Sequence, residues 1–376
     1  MKKAKDWGQL CPNPECEEYN KYNPGGIISV NSYQTQSGKR RIFKCKSCGE
    51  RFAETRNTVL FDLRVPEEKI IMVLKMCVVA MSLSQISFVI GVREETILRW
   101  IERAYEQAER INAYLLKNLA ITQVQIDEMW NFVKKKKLEG QKNGAEAPAG
   151  ETEGRQWIWL SYAPQYCLLL TTVVGPRTKE NAEKLIARIA QVVKGVPCFF
   201  SDGFSCYWQA LVKTYHHLHT FPLTGKRGRP RKPVQLPHPE LVYAQLVKTK
   251  VNGKLKSIDT RIRAGAERLK SLGLKVSTSL VERLNLTLRT SIAPLVRKTN
   301  SFCKQQSTLR HRVVFFHAFY NFARPHMSLR LPLCSESETV PLFHSKYLAR
   351  APAMAAGITE HVWSFGELLS AKFPVV

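Results

Sequence analysis

Gln125-Ile126-Asp127-Glu128-Met129-Trp130-Asn131-Phe132-Val133 (QIDEMWNFV) is a run of β-branched and aromatic residues with two acids at its centre. Such residues fit a pleated, half-buried surface, so residues 121–133 read as a strand. A carboxylate in that setting is costly to bury unless it binds something. Working outward, residues 157–162 and 167–174 are strand-like as well, and the polar stretch 134–156 reads as a long exposed connection. The period then changes. Residues 179–193 have the spacing of an amphipathic helix, and residues 196–201 are a short apolar strand. The order β, β, β, α, β followed by helices predicts an α/β domain of layered type.

The 376 residues allow two or three domains, and 44% are hydrophobic, enough for a packed core. Lys and Arg total 57 against 31 Asp and Glu, a formal net charge of +26. So large an excess repels itself in a compact chain, and a polyanionic partner relieves it. Nucleic acid is favoured over a membrane surface, because no basic helix carries a strong apolar face. A merely basic cytosolic or ribosome-associated protein is the plainer alternative. The longest apolar stretches, such as residues 70–81, fall short of the roughly 20 needed to span a bilayer. The opening MKKAKDWGQL lacks the apolar core of a signal peptide, so a cytoplasmic, nucleoid-associated location is expected.

Four of the ten cysteines are paired near the N-terminus: Cys11 and Cys16, then after 28 residues Cys45 and Cys48. Four thiolates suit tetrahedral Zn²⁺, and Gly49 suits the turn that presents two sulfurs. Residues 8–55 therefore read as a zinc ribbon, with residues 26–43 as a hairpin carrying Lys39, Arg40 and Arg41. Reduced cysteines packed in a small core are the alternative, although a unit of about 45 residues struggles to fold without metal. The other six cysteines are scattered, as small buried hydrophobes are. Residues 66–118 read as helices. Within them residues 83–100 give a helix, a turn at Gly91 and a second helix, the pattern of a helix-turn-helix, with Arg93, Arg99 and Arg103 placed to reach DNA. Helix pairs of this kind also occur in proteins that never touch DNA.

Residues 223–275 hold 14 Lys and Arg against 3 acids and read as a basic insertion in the α/β domain. Its start, residues 225–233 (GKRGRPRKP), resembles an AT-hook, in which Lys226, Arg227, Arg229 and Arg231 would follow a narrow minor groove. A solvated loop explains the same charges. Three acids stand out for chemistry. Asp127 lies within the first strand, Asp202 ends the strand at residues 196–201 just before Gly203, and Glu282 begins a helical segment, residues 277–323. Two strand aspartates and a helix glutamate can hold two divalent cations for in-line displacement at phosphorus, with Mg²⁺ or Mn²⁺ suited to oxygen ligands. Spacing alone does not single them out, since each acid could equally be an N-cap, a salt-bridge partner or a turn residue.

Several runs occur in order: QIDEMWNFV (125–133), SDGFSCYWQAL (201–211), VERLNLTLR (281–289), RKTNSF (297–302) and YNFARPHMSL (320–329). With the cysteine pairs, they resemble insertion-sequence transposases of the insertion sequence one family, over nearly the whole chain to about residue 331. The resemblance implies an RNase H-like catalytic core with a DDE triad: Asp127, Asp202 and Glu282. Strand alternation puts Asp127 and Glu128 on opposite faces, and only the resemblance selects Asp127. It also implies a zinc ribbon and helix-turn-helix that bind terminal inverted repeats, Mg²⁺ (or Mn²⁺) and Zn²⁺ as cofactors, and a homo-oligomer on terminal and target DNA. Asn285, Arg289, Arg297 and Lys298 follow Glu282, where they would contact the DNA backbone or orient the site. Tyr320, Asn321, Arg324 and His326 would do likewise, although His326 follows Pro325 and suits a helix end. The chain departs from the pattern in three ways. The 79 residues between Asp202 and Glu282 leave Glu240 and Glu267 as rival third ligands, the first cysteine pair is widely spaced, and residues 332–376 match nothing in it. The expectation is a DNA transposase. The rivals are a DNA-binding regulator without chemistry and a nuclease that cuts without joining.

Overall fold

The computed structural model describes residues 8–22, 25–134, 154–221, 232–252, 254–332 and 347–374. These divide into two compact units, one drawn from residues 1–116, 288–303 and 307–376 and the other from residues 117–287 and 304–306.

The first unit begins with a three-stranded antiparallel sheet, β1 (Ile27–Thr35), β2 (Gly38–Cys45) and β3 (Arg51–Ala53). It is too small for a core of its own. Its buried apolar residues are few: Phe43 against Phe52, with ring centroids 6.2 Å apart, and Cys45, which packs with Cys11, Cys16 and the partly buried Ile27. Three helices follow: α1 (Glu67–Cys77), α2 (Leu83–Ile90) and α3 (Glu94–Leu115). Ile70, Val73, Leu74 and Cys77 bury one stripe of α1 at helical spacing. Ser82 and Gln85 form a reciprocal capping box at the start of α2, and Gly91, at φ 68°, ends it in the left-handed region where glycine carries no Cβ penalty. Ile97, Trp100, Ile101, Ala104, Ala108 and Ile111 form the buried face of α3.

The second unit holds β4 (Gln123–Val133), β5 (Gly154–Ala163), β6 (Leu168–Gly175), α4 (Lys179–Val192), β7 (Cys198–Ser201), α5 (Cys206–Thr214), β8 (His216–His219), β9 (Val234–Pro237), β10 (Val242–Val251), β11 (Lys254–Ala264), α6 (Ala266–Ser271) and the start of α7 (Ser279–Ser291). Among the described residues six strands make one mixed sheet in the order β11-β10-β7-β4-β5-β6. β4, β5 and β6 form an antiparallel meander, while β7 lies parallel to both β4 and β10. Helices cover both faces. Glu128 of β4 reaches Tyr207 of α5 on one side, and Gln125 and Asp127 reach α7 on the other. The α/β class and the order of elements through β7 match expectation.

The segment 223–275 is placed differently from the insertion expected of it. Its described part supplies two strands of the main sheet, with Val242–Gln245 of β10 paired to Cys198–Ser201 of β7 and β11 folded back onto β10. The reason is the apolar run Leu241-Val242-Tyr243-Ala244, fully buried, which the surrounding lysines and arginines mask in any average over the segment. Asn252-Gly253, between two β-rich runs, is the strongest short hairpin signal. The AT-hook-like residues Lys226, Arg227, Arg229 and Arg231 lie outside the described residues.

The C-terminal part returns to the first unit. α8 (Gln306–Ala318) runs into a π-helical turn, Phe319–Ala323, followed by β12 (Leu331–Pro332), β13 (Tyr347–Leu348), α9 (Pro352–Ala355) and α10 (Phe365–Ser370). The tail, without a role in the sequence reading, is part of the first unit's core. Trp363 stacks on Phe322 with centroids 4.9 Å apart, Tyr22 donates to the Lys372 carbonyl at 2.7 Å, and Val59 N–H donates to the Leu369 carbonyl at 3.2 Å. Among the described residues no helix is long and apolar enough to cross a membrane.

One glycine carries the turn from β11 into α6. Gly265 sits at φ +71°, and a Cβ there would lie 2.6 Å from the Leu241 carbonyl oxygen and 2.8 Å from a Val242 methyl. Gly195 has a similar φ of +76° but nothing within 4 Å of the same position. Gly265→Ala should therefore destabilise the protein in urea by about 3 kcal/mol, and Gly195→Ala by only about 1 kcal/mol. Equal losses would show that the close approach at Gly265 is unimportant.

Candidate functional site

The sheet itself brings Asp127 and Asp202 together. β4 and β7 run parallel in the register Gln125↔Phe200, so the two aspartates each lie two residues beyond that pair. β7 ends at Ser201, and past this point β4 has no neighbour on that side. The gap is a cleft of about 740 Å³, lined by Asp127, Asp202 and Glu282 among others. That is far more space than a few ions and their waters need.

Each acid is held by contacts that follow from local sequence. Gln125, buried in β4, accepts a hydrogen bond from the Val281 N–H at 3.0 Å, satisfying a first-turn donor of α7 that has no partner within the helix. This pins the helix start to the strand. One turn on, Asn285 Nδ2 donates to Asp127 Oδ2 at 2.6 Å. Asp202 Oδ1 accepts the Phe204 N–H at 3.0 Å, the local turn that an aspartate before glycine favours. The backbone at Asp202 rests on a buried polar network. Ser201 Oγ meets the Tyr243 hydroxyl at 2.8 Å, and Gln245 Nε2 donates to that hydroxyl at 2.9 Å and to the Asp202 carbonyl at 3.3 Å. Glu282 lines the same cleft, where its Oε1 takes the Lys248 ammonium and the Thr278 hydroxyl.

Glu128 was passed over because only the resemblance selected Asp127 of the two acids. Its side chain does leave the opposite face, toward α5, yet a carboxylate oxygen from each of Asp127, Glu128 and Asp202 lies within 4.8 Å of the others. The open edge of β4 beyond β7 is what allows both neighbours to approach Asp202. Arg177 Nε donates to Glu128 Oε1 at 2.8 Å and Tyr207 donates to Oε2 at 2.6 Å. The Arg177 guanidinium also lies 4.2 Å over the Phe204 ring and 5.1 Å over that of Trp157. Only the apolar neighbourhood and the doublet Asp-Glu could have flagged Glu128 beforehand.

Crowded acids resist ionisation. Burial, reinforced by the Asp202 charge, pushes the Asp127 carboxyl up to about 6, and burial with Asp202 pushes Glu128 up to about 7. A divalent cation removes this repulsion, and an all-oxygen donor set suits Mg²⁺ or Mn²⁺. The cluster could therefore hold such an ion. A second cluster lies in the first unit. The sulfurs of Cys11, Cys16, Cys45 and Cys48 are mutually within 4.8 Å, with Cys11–Cys48 at 3.6 Å and Cys16–Cys45 at 3.9 Å. Sulfurs at about 2.3 Å from one tetrahedral Zn²⁺ stand about 3.8 Å apart, so these four could hold it.

The remaining expected residues separate into two groups. Arg93 and Arg99 are exposed at and near the start of α3, and Arg297 and Lys298 are exposed after α7. Others turn inward. Arg103 donates to the Phe61 carbonyl at 2.6 Å, Arg289 donates to the Leu295 carbonyl at 3.2 Å, and Asn285 serves Asp127 as described. Tyr320 and Asn321 are buried, Arg324 lies over the Tyr320 ring, and the His326 N–H donates to the Arg350 carbonyl at 2.9 Å. These four hold the C-terminal part together. The rivals Glu240 and Glu267 are exposed and do not line the cleft.

No protein-family model and no curated protein matches the sequence. Among solved structures, the chain is similar to the Mos1 transposase paired-end complex with left transposon end (13% identity, 40% of this chain, 57% of that chain, TM-score 0.17). It is also similar to the Mos1 strand transfer complex (14%, 40% and 55%, 0.17) and to a pre-cleavage Mos1 transpososome (12%, 36% and 53%, 0.16). The chain thus spans a little over half the length of the solved chains it matches, and scores of this size decide nothing about its fold or its chemistry.

The raised carboxyls give a pH signature. At about pH 3 and below both are largely protonated in folded and unfolded chains alike. As the pH rises toward 7 the unfolded chain ionises them freely while the folded one resists, so their contribution to stability is lost as pH climbs through about 6 to 7. Mn²⁺ bound at these acids would take the place of the protons. Its stabilising effect should be larger at pH 8 than at pH 5 by about 1 kcal/mol, or about 2–4 °C in Tm, and should shrink in Asp127→Asn. The same Mn²⁺ shift at both pH values would contradict an ion at these acids.

Proposed function

We propose that this protein is a DNA transposase of the DDE type, built on an RNase H-like core, which cuts element ends and joins them to target DNA. The observation that carries the reading is the meeting of Asp127 and Asp202 at the open end of two parallel strands, with Glu282 facing them across one cleft. An antiparallel meander running into parallel strands, with the acids on the first and fourth of them, accords with such a core.

Asp127, Asp202 and Glu282 would hold the ions. Bound there, divalent ions would activate water or a 3′ hydroxyl and stabilise the oxygen that leaves phosphorus. Glu282 is favoured over Glu128 as third ligand because both Glu128 oxygens are already engaged, one by Arg177 and one by Tyr207. Glu128 and Arg177 instead set the field around Asp202. Asn285 would steady Asp127 through one carboxylate oxygen at the cleft that Asp127 lines. The Phe204 N–H does the same for Asp202.

In this reading the four cysteines bind Zn²⁺ as a zinc ribbon, and α2 and α3 act as a helix-turn-helix whose Arg93 and Arg99 meet DNA. Residues 226–231 add minor-groove contacts, and Arg297 and Lys298 add phosphate contacts. The net charge of +26 supports a polyanionic partner. Two element ends must be held at once, which a homo-oligomer on DNA would achieve. A cytoplasmic location beside the nucleoid follows from the same reading.

The test is a strand-transfer assay with Mg²⁺ on oligonucleotides carrying the ends that flank the gene. Joined product is expected. Asp202→Ala should retain the mobility shift while cutting falls by about three orders of magnitude or more. Cut product without joining would indicate a nuclease, a shift alone would indicate a DNA-binding regulator, and full activity in Asp202→Ala would remove that residue from the chemistry.

A further inference from the structure

The charges in the cleft do not balance as they stand. Its described lining has two cations, Arg177 and Lys248, against Asp127, Asp202 and Glu282, with Glu128 adjoining. Arg177 is engaged with Glu128, and Lys248 with Glu282. Among the described lining residues neither central aspartate forms a close ion pair; Arg177, taken by Glu128, reaches Asp202 only as a longer-range charge. Lys248 arrives by strand geometry rather than chance. β10 pairs with β7 only as far as Gln245↔Ser201, so its next residues, Leu246, Val247 and Lys248, pass along the open end of β7 and line the cleft.

We propose that Lys248 is a displaceable counter-ion for Glu282, a positioning residue that holds this carboxylate until a divalent cation takes it, and that then turns to a DNA phosphate. This rests on the metal-binding reading of the cleft. The pair is suited to exchange. Its side chains are 37% and 45% exposed, and exposed pairs of this kind are weak. The ammonium is a compact charge on a flexible four-carbon stem, able to swing to a phosphate oxygen nearby. Thr278 donates to the same Glu282 oxygen at 2.9 Å, so the carboxylate stays oriented when the lysine leaves. Lysine and metal compete for one carboxylate, whereas DNA and metal assist each other: a phosphate that draws Lys248 away frees Glu282 for the ion. Such coupling is reciprocal.

Mn²⁺ binding to the full chain, followed by electron paramagnetic resonance of the free ion, tests this without reference to catalysis. Without DNA, Lys248→Met should bind Mn²⁺ about two- to fivefold more tightly than wild type, the weight of an exposed ion pair. Lys248→Arg should restore the wild-type affinity. Adding DNA should tighten Mn²⁺ binding in wild type and do so less in Lys248→Met. Unchanged or weaker Mn²⁺ binding in Lys248→Met, with its circular dichroism intact, overturns the proposal. Asp202→Asn separates the two layers. If it loses Mn²⁺ while Lys248→Met behaves as wild type, only the counter-ion role falls; if it binds Mn²⁺ undiminished, the metal site falls with it.

Discussion

Repulsion between Asp127 and Asp202, forced together where water is scarce, is the constraint around which the second unit is arranged. Burial holds the Asp127 carboxyl above its usual range, and the neighbouring Asp202 charge adds to the effect. Every neighbouring contact reads as a response to it. Asn285 supplies a donor to one acid, the Phe204 N–H supplies one to the other, and Arg177 and Tyr207 absorb the adjacent Glu128. Arg177 also acts on Asp202 as a longer-range charge, but its guanidinium is committed to Glu128. A fold that concentrates unpaired acids in this way is destabilised unless something positive occupies the gap.

Topology decides where that gap lies. A parallel neighbour that stops after four residues leaves β4 with its acids beyond the last pairing, and β10 on the far side continues past the same point. The acids therefore line a notch in the sheet, with strand backbone on both flanks and α7 across it. The helix is registered against β4 by the buried Gln125 and Val281 contact, which places Glu282 and Asn285 one turn apart over the notch. Ligand geometry here follows from strand lengths and one helix start, while the short connections add Arg177, Asp202, Gly203, Phe204, Ser205 and Thr278 to the cleft lining.

Much of this was legible in the residues and some of it was not. The strand bearing Asp127, the short strand ending in Asp202 and the cysteine spacing all carry local signals: apolar period, a Gly after the acid, paired thiols. Expectation failed where charge hid pattern. Lys and Arg around Leu241–Ala244 made a sheet strand look like solvated insertion, although Asn252-Gly253 marked the hairpin. It failed again where polar residues turn inward. Arg103 and Arg289 look like DNA contacts in sequence, yet each donates to a carbonyl of the protein itself, because a half-buried acceptor competes with solvent for any donor in reach, while Asn285, for which DNA contact and orienting the site were both open, binds Asp127. Glu128 was set aside by the resemblance alone; alternation rightly puts it on the opposite face, toward Tyr207, and does not reveal that its carboxylate still comes near Asp202. The tail was unreadable because its partners, such as Tyr22, Val59 and Phe322, are distant in the chain.

The central claim is that Asp127 and Asp202 share a cation, and the most direct measurement is anomalous diffraction at the manganese edge from crystals of the full chain soaked in Mn²⁺. A peak within coordination distance of a carboxylate oxygen of both aspartates, about 2.0–2.3 Å, is the expected result. A map with no peak in the cleft, or with Mn²⁺ bound only to other acids, contradicts it and leaves a basic protein whose clustered carboxylates are a structural accident.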